Sequence, residues 1–349
     1  RIKQGIFERC LLTEVSPFET PLIWSNWGSY NFHRTLINAV FPKQLREILN
    51  SYGPTIPYEY EYYKNSTDSR TLSLIHPNSS VEIINIYQKF SNLILSLCKK
   101  SSFSIRKPHA VAKYFVIGSS AGSDSKYIEE FDENKQFASS FFTYLHFSHI
   151  HKFYESLGYT SLEKQFKHLA KFDITKCFPS IYTHTIDWAI RGRKASKDRL
   201  TQYNKKKDNS FGSTFDKFMQ NVNYHETNGI VIGPEFSRIF AEIILQEIDH
   251  IIEAQLDKEK IYHTSEYFCA RYIDDYFLFF NDINVYGKFK NILQRELRRY
   301  NLYLNESKSI IYSRPFITTI SSKKIDISQY TDDLFTRLEL KNYANINHG

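Results

Sequence analysis

The sequence is poor in residues that would hold a chain together by covalent or metal cross-links. It has four cysteines among 349 residues, and they lie far apart in the chain. No apolar run approaches the ~18 residues that a membrane-spanning helix needs. These absences argue against a disulfide scaffold, a zinc site and a membrane protein. They predict reduced cysteines in a cytoplasmic protein.

Methionine is nearly absent as well: the chain opens on Arg1, and Met219 is its one methionine. We therefore expect a segment that lacks its true N-terminus, and upstream targeting stays open. Hydrophobic residues at 42% and charged residues at 24% are ordinary for a globular protein, which excludes collagen-like and disordered chains. The length suits about two domains.

Positive charge is concentrated in one segment. The chain carries 45 basic and 38 acidic residues, a net charge of +7. Residues 191–207 hold eight basic residues and one acid, and 8 − 1 = +7 equals the whole excess. The rest of the chain is close to neutral, so the charge indicates this segment, rather than the whole surface, as a candidate contact for a polyanion. A solvated loop is the alternative.

Apolar spacing predicts an α+β fold in which helices back an antiparallel sheet. Tyrosine-rich residues 58–63 and residues 70–75 flank a turn, which predicts a hairpin with Lys64 and Arg70 near its tip. The other predicted strands are residues 169–174, 268–272, 276–280, 309–313 and 316–320. The predicted helices are residues 32–50, 81–99, 136–157, 181–190, 215–222, 234–256 and 283–300, and residues 118–124 are a predicted loop.

The sharpest chemical signal is Asp274-Asp275, which lies between two apolar, aromatic-rich predicted strands. Unpaired carboxylates are costly to place against a sheet core. A tight turn would expose both carboxylates to solvent, where they could bind a divalent cation. A solvated hairpin tip is the alternative, because Asp is a good turn residue. The strand–turn–strand setting favours the metal site.

The same Y-x-D-D spelling recurs at residues 330–333, where it predicts a different structure. Thr331 is placed to cap a helix whose first turn contains Asp332 and Asp333, followed by apolar residues at helical spacing. Acids in a first turn complement the helix dipole. We interpret this second copy as structural, so the four letters alone are a weak signal.

A third acid strengthens the interpretation of the first copy. Asp173 lies at the end of the predicted strand 169–174. Catalysis by two divalent ions needs carboxylates that converge from different elements. Asp173 and Asp274 on adjacent strands would meet that need, with Asp275 beside them. Considered alone, Asp173 would be interpreted as a helix cap for the residues after it. Considered together with the predicted hairpin that carries Asp274 and Asp275, it favours a catalytic site.

Four segments of the chain resemble the palm motifs of reverse transcriptases in their order and spacing: residues 171–182, 229–245, 272–275 and 304–308. The resemblance covers roughly residues 55–320. It implies a fingers-and-palm fold and a nucleotidyltransferase that joins deoxynucleoside triphosphates to a 3′-hydroxyl with two Mg²⁺ ions, or Mn²⁺ in their place. It also implies that Asp173 and Asp274 are the metal ligands and that Asp275 is the third acid.

The resemblance implies further roles near the nucleotide. Phe178 matches the aromatic residue that excludes a ribose 2′-hydroxyl, which implies deoxynucleotides as substrates. Gly233 would let the backbone approach the nascent base pair. Lys308 resembles the lysine near the leaving pyrophosphate, while Lys64 and Arg70 resemble fingers residues that hold the triphosphate. Solvated charge is the alternative for these last three.

Two departures from the family pattern bear on template use. Many reverse transcriptases carry Gln immediately before the motif glycine, where this chain has Ile232. The residues after Gly233 also differ from the usual Gly-x-x-x-Ser-Pro. We therefore expect substrate recognition to differ from ordinary template copying.

The chain is similar to one subgroup, the bacterial abortive-infection reverse transcriptases, in residues 11–26, 70–77 and 104–108. This resemblance implies antiphage defence, DNA synthesis without a template, and priming from a protein hydroxyl that leaves the DNA product attached. It also implies a homo-oligomer and a helical C-terminal domain, most of which would lie beyond Gly349. With 25 tyrosines, the sequence does not identify the priming residue.

We divide the chain into three parts: an N-terminal extension with fingers and part of the palm (1–165), a palm with the catalytic motifs (166–325), and the start of a C-terminal helical domain (326–349). The basic segment is then an insertion in the palm. Lys205, Lys206 and Lys207 are expected to contact phosphates of product DNA or a neighbouring subunit. The nearest alternative is a template-dependent reverse transcriptase of another bacterial defence or retroelement system. The second is a non-catalytic nucleic-acid-binding module on a palm scaffold.

Overall fold

The computed structural model of the protein describes most of the palm and parts of the N-terminal half. The described residues are 2–3, 7–17, 30–31, 53–63, 65–66, 68–115, 137–138, 140–147, 149–202, 209–316 and 326–337. The predicted helix at residues 32–50 and the predicted loop at residues 118–124 lie outside this part. The same holds for residues 317–320 of the last predicted strand.

Eleven strands are present in the described part of the chain. They are β1 (Ile2–Lys3), β2 (Tyr58–Tyr63), β3 (Ser69–Leu74), β4 (Arg106–Val111), β5 (Tyr114–Phe115), β6 (Phe137–Ala138), β7 (Phe142–His146), β8 (His168–Asp173), β9 (Tyr267–Tyr272), β10 (Asp275–Phe280) and β11 (Ile310–Ser313). Four of them form one sheet in the order β11-β8-β10-β9, in which every neighbouring pair is antiparallel. The others form a β2–β3 hairpin, a β4–β7 pair and the sheet β1-β5-β6.

Eleven α-helices are present in the described part of the chain. They are α1 (Cys10–Thr13), α2 (Pro77–Leu97), α3 (Ile150–Tyr154), α4 (Leu157–Gln165), α5 (Cys177–Ser180), α6 (Thr185–Arg191), α7 (Arg193–Gln202), α8 (Phe211–Asn221), α9 (Glu235–Lys258), α10 (Ile283–Arg299) and α11 (326–337). The predicted fold class, an antiparallel sheet backed by helices, is confirmed. No described helix is both long enough and apolar enough to cross a bilayer.

Strand β10 is buried on both of its faces. Successive side chains of a strand point to opposite sides. Tyr276, Leu278 and Phe280 accordingly join the main core with helices α9 and α10. Phe277 and Phe279 join a second core formed with α3 and α4. The palm sheet is thus a central layer between two sets of helices.

The predicted helix over residues 136–157 is wrong. Strands β6 and β7 occupy its first part, and the shorter helices α3 and α4 follow. Phe141, just before β7, and Phe142, its first residue, are both fully buried. Strand β7 pairs with β4 in antiparallel register, so pairing with a distant segment decides this local structure.

The predicted cap at Thr331 is also wrong. Helix α11 already includes residues 326–330, and the Thr331 hydroxyl donates to the carbonyl of Ile327 at 2.8 Å. Thr331 is therefore an interior residue that bonds back one turn. The acids Asp332 and Asp333 lie on the exposed surface of this helix, so the second Y-x-D-D copy is helical throughout.

Candidate active site

Two of the three predicted acids are register partners on neighbouring strands. Asp173 ends β8, Asp275 begins β10, and the two residues pair directly across the antiparallel ladder. Directly opposed side chains lie on one face, with Cβ atoms about 4.5–5.5 Å apart. Asp274 belongs to the two-residue turn between β9 and β10. The three carboxylates therefore belong to one end of the palm sheet.

Arg271 forms a hydrogen bond with the turn that contains Asp274. Ile273 has a φ of 57°, a left-handed conformation that is unfavourable for a β-branched residue. The guanidinium of Arg271 is fully buried and donates to the Ile273 carbonyl at 2.8 Å. This bond ties the strained turn to a side chain anchored in the core.

Two acids of helix α9 hold Arg271 in place. Its guanidinium bonds Glu242 at 2.8 and 3.1 Å and Asp249 at 2.7 Å, and Tyr276 donates to Asp249 at 2.7 Å. Burial raises the pKa of Asp249 to about 6, against the opposing effect of Arg271. Sequence reasoning missed this network. The signal was an arginine in an otherwise apolar strand, since a buried arginine needs acidic partners.

The surroundings of Asp274 and Asp275 disfavour the negatively charged form of both carboxyl groups. Burial, together with the negative charges of Asp274 and Asp173, raises the pKa of Asp275 to about 7. Burial also raises the pKa of Asp274, and Asp173 acts in the same direction. Carboxylates crowded in this way favour a bound cation or a proton. The arrangement therefore has the electrostatic character of a cation site.

Lys308 and Asn305 approach the third carboxylate, that of Asp173. The Lys308 ammonium lies 3.1 Å from Asp173 Oδ2, and the Asn305 side-chain amide donates to the same oxygen at 3.2 Å. The Asn305 backbone N–H also donates to the Asp173 carbonyl at 2.8 Å. The hydrogen bond and charge of Asp173 raise the pKa of Lys308. Lys308, which was predicted from the sequence, thus contacts the candidate site directly. Asn305 also contacts it and was not predicted.

The chemistry of these side chains fits a hard divalent cation, because all three acids offer oxygen ligands. Within the described part of the chain, however, no three acidic, histidine or cysteine side chains already surround a common point. Asp173 Oδ2 instead faces Lys308 and Asn305.

Phe178 lies in the turn immediately after the strand of Asp173. Lys176 has a φ of 43° and reverses the chain into the short helix α5, where Phe178 packs half-buried against the main core. The Phe178 carbonyl accepts from the N–H of Ile230 at 3.0 Å. Gly229 has a φ of 88°, and a Cβ there would lie 3.2 Å from the Pro179 carbonyl. The loop leading to Gly233 is therefore packed on the Phe178 turn.

Gly233 is covered by the N-terminal segment. Its φ is 121°, and a Cβ at this position would lie 2.4 and 2.7 Å from ring carbons of Pro17. On the other side, the N–H of Ser73 in the hairpin donates to the Ile232 carbonyl at 2.9 Å. A residue with a side chain would clash with Pro17 at position 233, so this contact within the protein requires glycine there. The sequence pattern predicted a different reason for the glycine, the approach of a base pair.

Buried charges fix the segment that carries Pro17. Glu14 accepts from the N–H of Phe141 and the hydroxyl of Tyr87, both at 2.9 Å, and its carbonyl accepts from Phe236 N–H at 3.3 Å. Burial and the nearby charge of Glu235 raise the pKa of Glu14 to about 7. The segment is therefore bonded both to the sheet region and to the start of α9.

Glu235 at the start of α9 completes this buried group. Arg106 contacts it at 2.9 and 3.3 Å, and Arg238 contacts it at 2.9 Å. Burial would raise the pKa of Glu235, but the two arginines outweigh it and hold that pKa at about 2. Tyr144 donates to the same carboxylate. Neither Glu14 nor Glu235 was identified from the sequence, because most of their partners, such as Phe141 and Arg106, lie far away in the chain.

Of the remaining predicted contacts, the structure describes Arg70. Arg70 lies on β3, opposite Tyr62, with its guanidinium carbon 5.4 Å from the Tyr62 ring centre. Lys64 and the three lysines of the basic segment lie outside the described residues: Lys205, Lys206 and Lys207. The roles assigned to these residues stay predictions.

Solved structures offer a comparison for most of the chain. It is similar to a telomerase from Candida albicans in complex with a fragment of telomeric RNA, with 12% identity, a TM-score of 0.45, and 84% of this chain and 48% of that chain covered. For an apo telomerase from Candida tropicalis, the values are 12%, 0.43, 85% and 49%. The chain spans about half the length of these telomerases. No curated protein sequence matches it.

A family comparison concerns the region that contains the site. Residues 105–327 match the reverse transcriptase (RNA-dependent DNA polymerase) family. The match spans more than half of the 349 residues and includes Asp173, the Asp274 turn and Lys308. The predicted family is therefore confirmed, while the abortive-infection subgroup stays a prediction. The chain belongs to the reverse transcriptase (RNA-dependent DNA polymerase) family.

Proposed function

We propose that the protein polymerises deoxynucleotides by adding them to a 3′-hydroxyl at the site formed by Asp173, Asp274 and Asp275. The observation that carries this proposal is the direct register pairing of Asp173 with Asp275, with Asp274 in the adjoining turn. Two strands and a turn thus supply three carboxylates to one end of the sheet. Family membership gives the reaction class.

The three carboxylates would hold two Mg²⁺ ions, or Mn²⁺ in their place. When bound, such ions activate the attacking hydroxyl and neutralise charge on the leaving pyrophosphate. Lys308 is placed to exchange its contact with Asp173 for a phosphate oxygen of the nucleotide, because its side chain is mostly exposed. Phe178 would close the pocket to a ribose 2′-hydroxyl. Arg271 acts through the Ile273 carbonyl and positions the turn.

The polymerase proposal is tested by incubating the full chain with labelled deoxynucleotides, with Mg²⁺ and with chelator. We expect Mg²⁺-dependent incorporation and at least tenfold preference for deoxynucleotides over ribonucleotides. Phe178→Ala should reduce that preference, because it removes the ring that faces the sugar. If the well-folded chain incorporates no nucleotide under any of these conditions, the palm is a scaffold and the proposal is wrong.

We further propose that synthesis does not follow a template. Two features support this. Ile232 replaces the glutamine that many reverse transcriptases use beside the nucleotide, and Pro17 covers the backbone of Gly233. Because the segment of Pro17 is anchored through buried Glu14, the cover is a fixed part of the fold. A template base therefore has less room at this position than in an open cleft.

We also propose protein priming and a role in antiphage defence. Both proposals rest on the resemblance to the abortive-infection reverse transcriptases. The initiating group would be a protein hydroxyl, so the DNA product stays covalently attached, and the active form would be a homo-oligomer. All four cysteines are free and buried, which supports a reducing compartment such as the bacterial cytoplasm.

A single gel experiment separates these finer proposals. Labelled products are made with and without primer-template and then run before and after protease digestion. Label that remains on the protein without template, and is released by protease, supports untemplated protein priming. Label found only on an added primer, in the order set by the template, favours a template-dependent reverse transcriptase.

A further inference from the structure

Residues 193–202 of the basic segment form helix α7, which packs against helix α6. Helix α6 ends at Arg191, the φ of 87° at Gly192 allows the chain to reverse, and α7 begins at the next residue. The Ser196 hydroxyl donates to the carbonyl of Asp187 at 3.1 Å, and Ser196 is buried between the two helices. The first part of the charge-rich sequence is therefore a defined surface.

Two cations of α7 are held over one aromatic ring. The Arg193 guanidinium carbon lies 4.9 Å from the Trp188 ring centre, and Lys197 Nζ lies 5.9 Å from it. Arg193 and Lys197 are four residues apart, so they share a face of the helix. Trp188 itself is half-buried against Tyr182 and Tyr300, with ring centres at 6.0 and 6.2 Å. The indole thus orients both cations from a fixed position.

Positive charge exceeds negative charge on this surface. Arg193, Lys194 and Lys197 are exposed, and Asp198 is the one acid of α7. The structure shows no ion pair for these three cations among the side chains that it describes, whereas Arg191 of α6 pairs with Asp187 at 3.2 Å. Exposed Lys288 on α10 likewise pairs with Glu259 at 2.7 Å. The three cations lie within one and a half turns, which suits consecutive phosphates.

We propose that the α6–α7 surface, formed by Trp188, Arg193, Lys194 and Lys197, binds the backbone of single-stranded DNA. The charge of the strand complements the three cations, and aromatic residues between cations are typical of surfaces that bind single strands. The cations contact phosphates while Trp188 limits their motion. The choice of DNA over RNA as the bound strand rests on the proposed polymerase function. The proposal that this surface binds a single strand does not depend on that function.

Binding is measured with a labelled oligothymidylate of about 20 nucleotides, without Mg²⁺ and on Asp274→Asn protein, so that no synthesis occurs. The test variant is Arg193→Gln/Lys194→Gln/Lys197→Gln. Each phosphate contact on a single strand contributes about 0.7 to the salt slope, so the variant's slope should fall by about 2, and its affinity roughly tenfold at low salt. The wild-type tryptophan fluorescence should change on binding, and Trp188→Phe should remove that change.

The matched control removes the same charge elsewhere: Lys258→Gln/Lys260→Gln/Lys288→Gln, at exposed positions of α9, α10 and the turn after α9. We expect it to keep the wild-type salt slope. A charge-preserving variant, Arg193→Lys, should keep most of the affinity. Equal losses in the test and control variants, or an unchanged slope in the test variant, would overturn the proposal. An altered oligomeric state with unchanged DNA binding would assign the surface to a neighbouring subunit instead.

Nucleotide incorporation is measured separately. If the protein binds the oligonucleotide through α6–α7 but incorporates no nucleotide, the polymerase proposal fails and the surface stands. If it incorporates nucleotides while the test variant binds DNA as well as wild type, the surface fails and the polymerase proposal stands.

Discussion

The chain contains the sequence Y-x-D-D twice, and the two copies have different structures. In residues 272–275 the first acid, Asp274, lies in a strained turn between two buried strands, and the second, Asp275, begins β10 opposite a third acid, Asp173. In residues 330–333 the acids lie along the exposed surface of a helix. Identical letters therefore carry different chemistry.

The difference lies in what surrounds each copy. The residue three positions before the first acid is Arg271 in one copy and Gln329 in the other. Arg271 is fully buried and paired with two acids of α9, whereas Gln329 is exposed. A carboxylate pair becomes a candidate site only where a packed framework fixes it, so substitutions at matched positions should separate the two copies.

The largest difference is expected in catalysis. Asp274→Asn should lower nucleotide incorporation by at least about 1,000-fold, because it removes a ligand charge at the reacting centre. Asp274→Ala should abolish incorporation and leave folding largely intact. Asp332→Asn, the matched change in the second copy, should leave incorporation within about twofold. The assay is initial-rate incorporation at saturating Mg²⁺. Substantial activity in Asp274→Asn would refute the metal-site assignment.

A second difference is expected in stability. Arg271→Met should lower the free energy of unfolding by about 3–5 kcal/mol, since it leaves two buried carboxylates without their partner. Gln329→Met should change it by less than about 0.5 kcal/mol, as expected for an exposed surface position. Urea denaturation monitored by circular dichroism measures both. Similar values for the two variants would contradict the anchoring role of Arg271.

The buried network should also give the first copy its own pH dependence. The pKa of Asp249 rises on folding from 3.8 to about 6, so its contribution to stability is full below about pH 4 and is lost as pH rises through 6. Asp249→Asn removes this titration. Between pH 4 and 7, stability should therefore shift in favour of the variant by up to about 3 kcal/mol. Parallel pH curves for variant and wild type would exclude the effect, and Asp332→Asn is the control.

A smaller effect is expected at the cation that accompanies the first copy. Lys308→Met should lower incorporation by roughly 10- to 50-fold, because a positive charge beside the phosphates is lost. Lys308→Arg should retain more activity than Lys308→Met. The Tm of both variants should match wild type, since the Lys308 side chain is mostly exposed. A loss that follows Tm instead of charge would indicate a structural role.

The smallest effect tests the second copy. Thr331→Ala should leave the free energy of unfolding within about 0.5 kcal/mol of wild type or raise it slightly, because alanine is favourable inside a helix. A helix cap at this position would instead make the variant about 1 kcal/mol less stable. Thermal unfolding of the full chain distinguishes these outcomes.

Local sequence was sufficient where neighbouring residues decide the structure. The β2–β3 hairpin and the strands on either side of Asp274 follow from apolar and aromatic runs broken by turn residues, and the structure places them within one residue of prediction. Helix α9 likewise begins one residue after its predicted start at Pro234.

Local sequence was insufficient where distant segments decide. Strand β7 was predicted as helix because its pairing with β4 depends on residues more than 30 positions away. The contact of Pro17 with Gly233 joins segments more than 200 positions apart. The acids and Lys308 were found because the family motif preserves their order, whereas the partners of Arg271 were hidden in a helix that looked simply apolar.

Helix α9 carries three buried acids at intervals of seven residues: Glu235, Glu242 and Asp249. Each pairs with an arginine from another element, Arg106 for the first and Arg271 for the other two. Buried ion pairs add little net stability, but a mismatch of charge is costly. Sliding the helix by one turn would separate every pair at once. The acids therefore define a single axial register for α9, so that one helix aligns the Pro17 cover over Gly233 with the turn that contains Asp274.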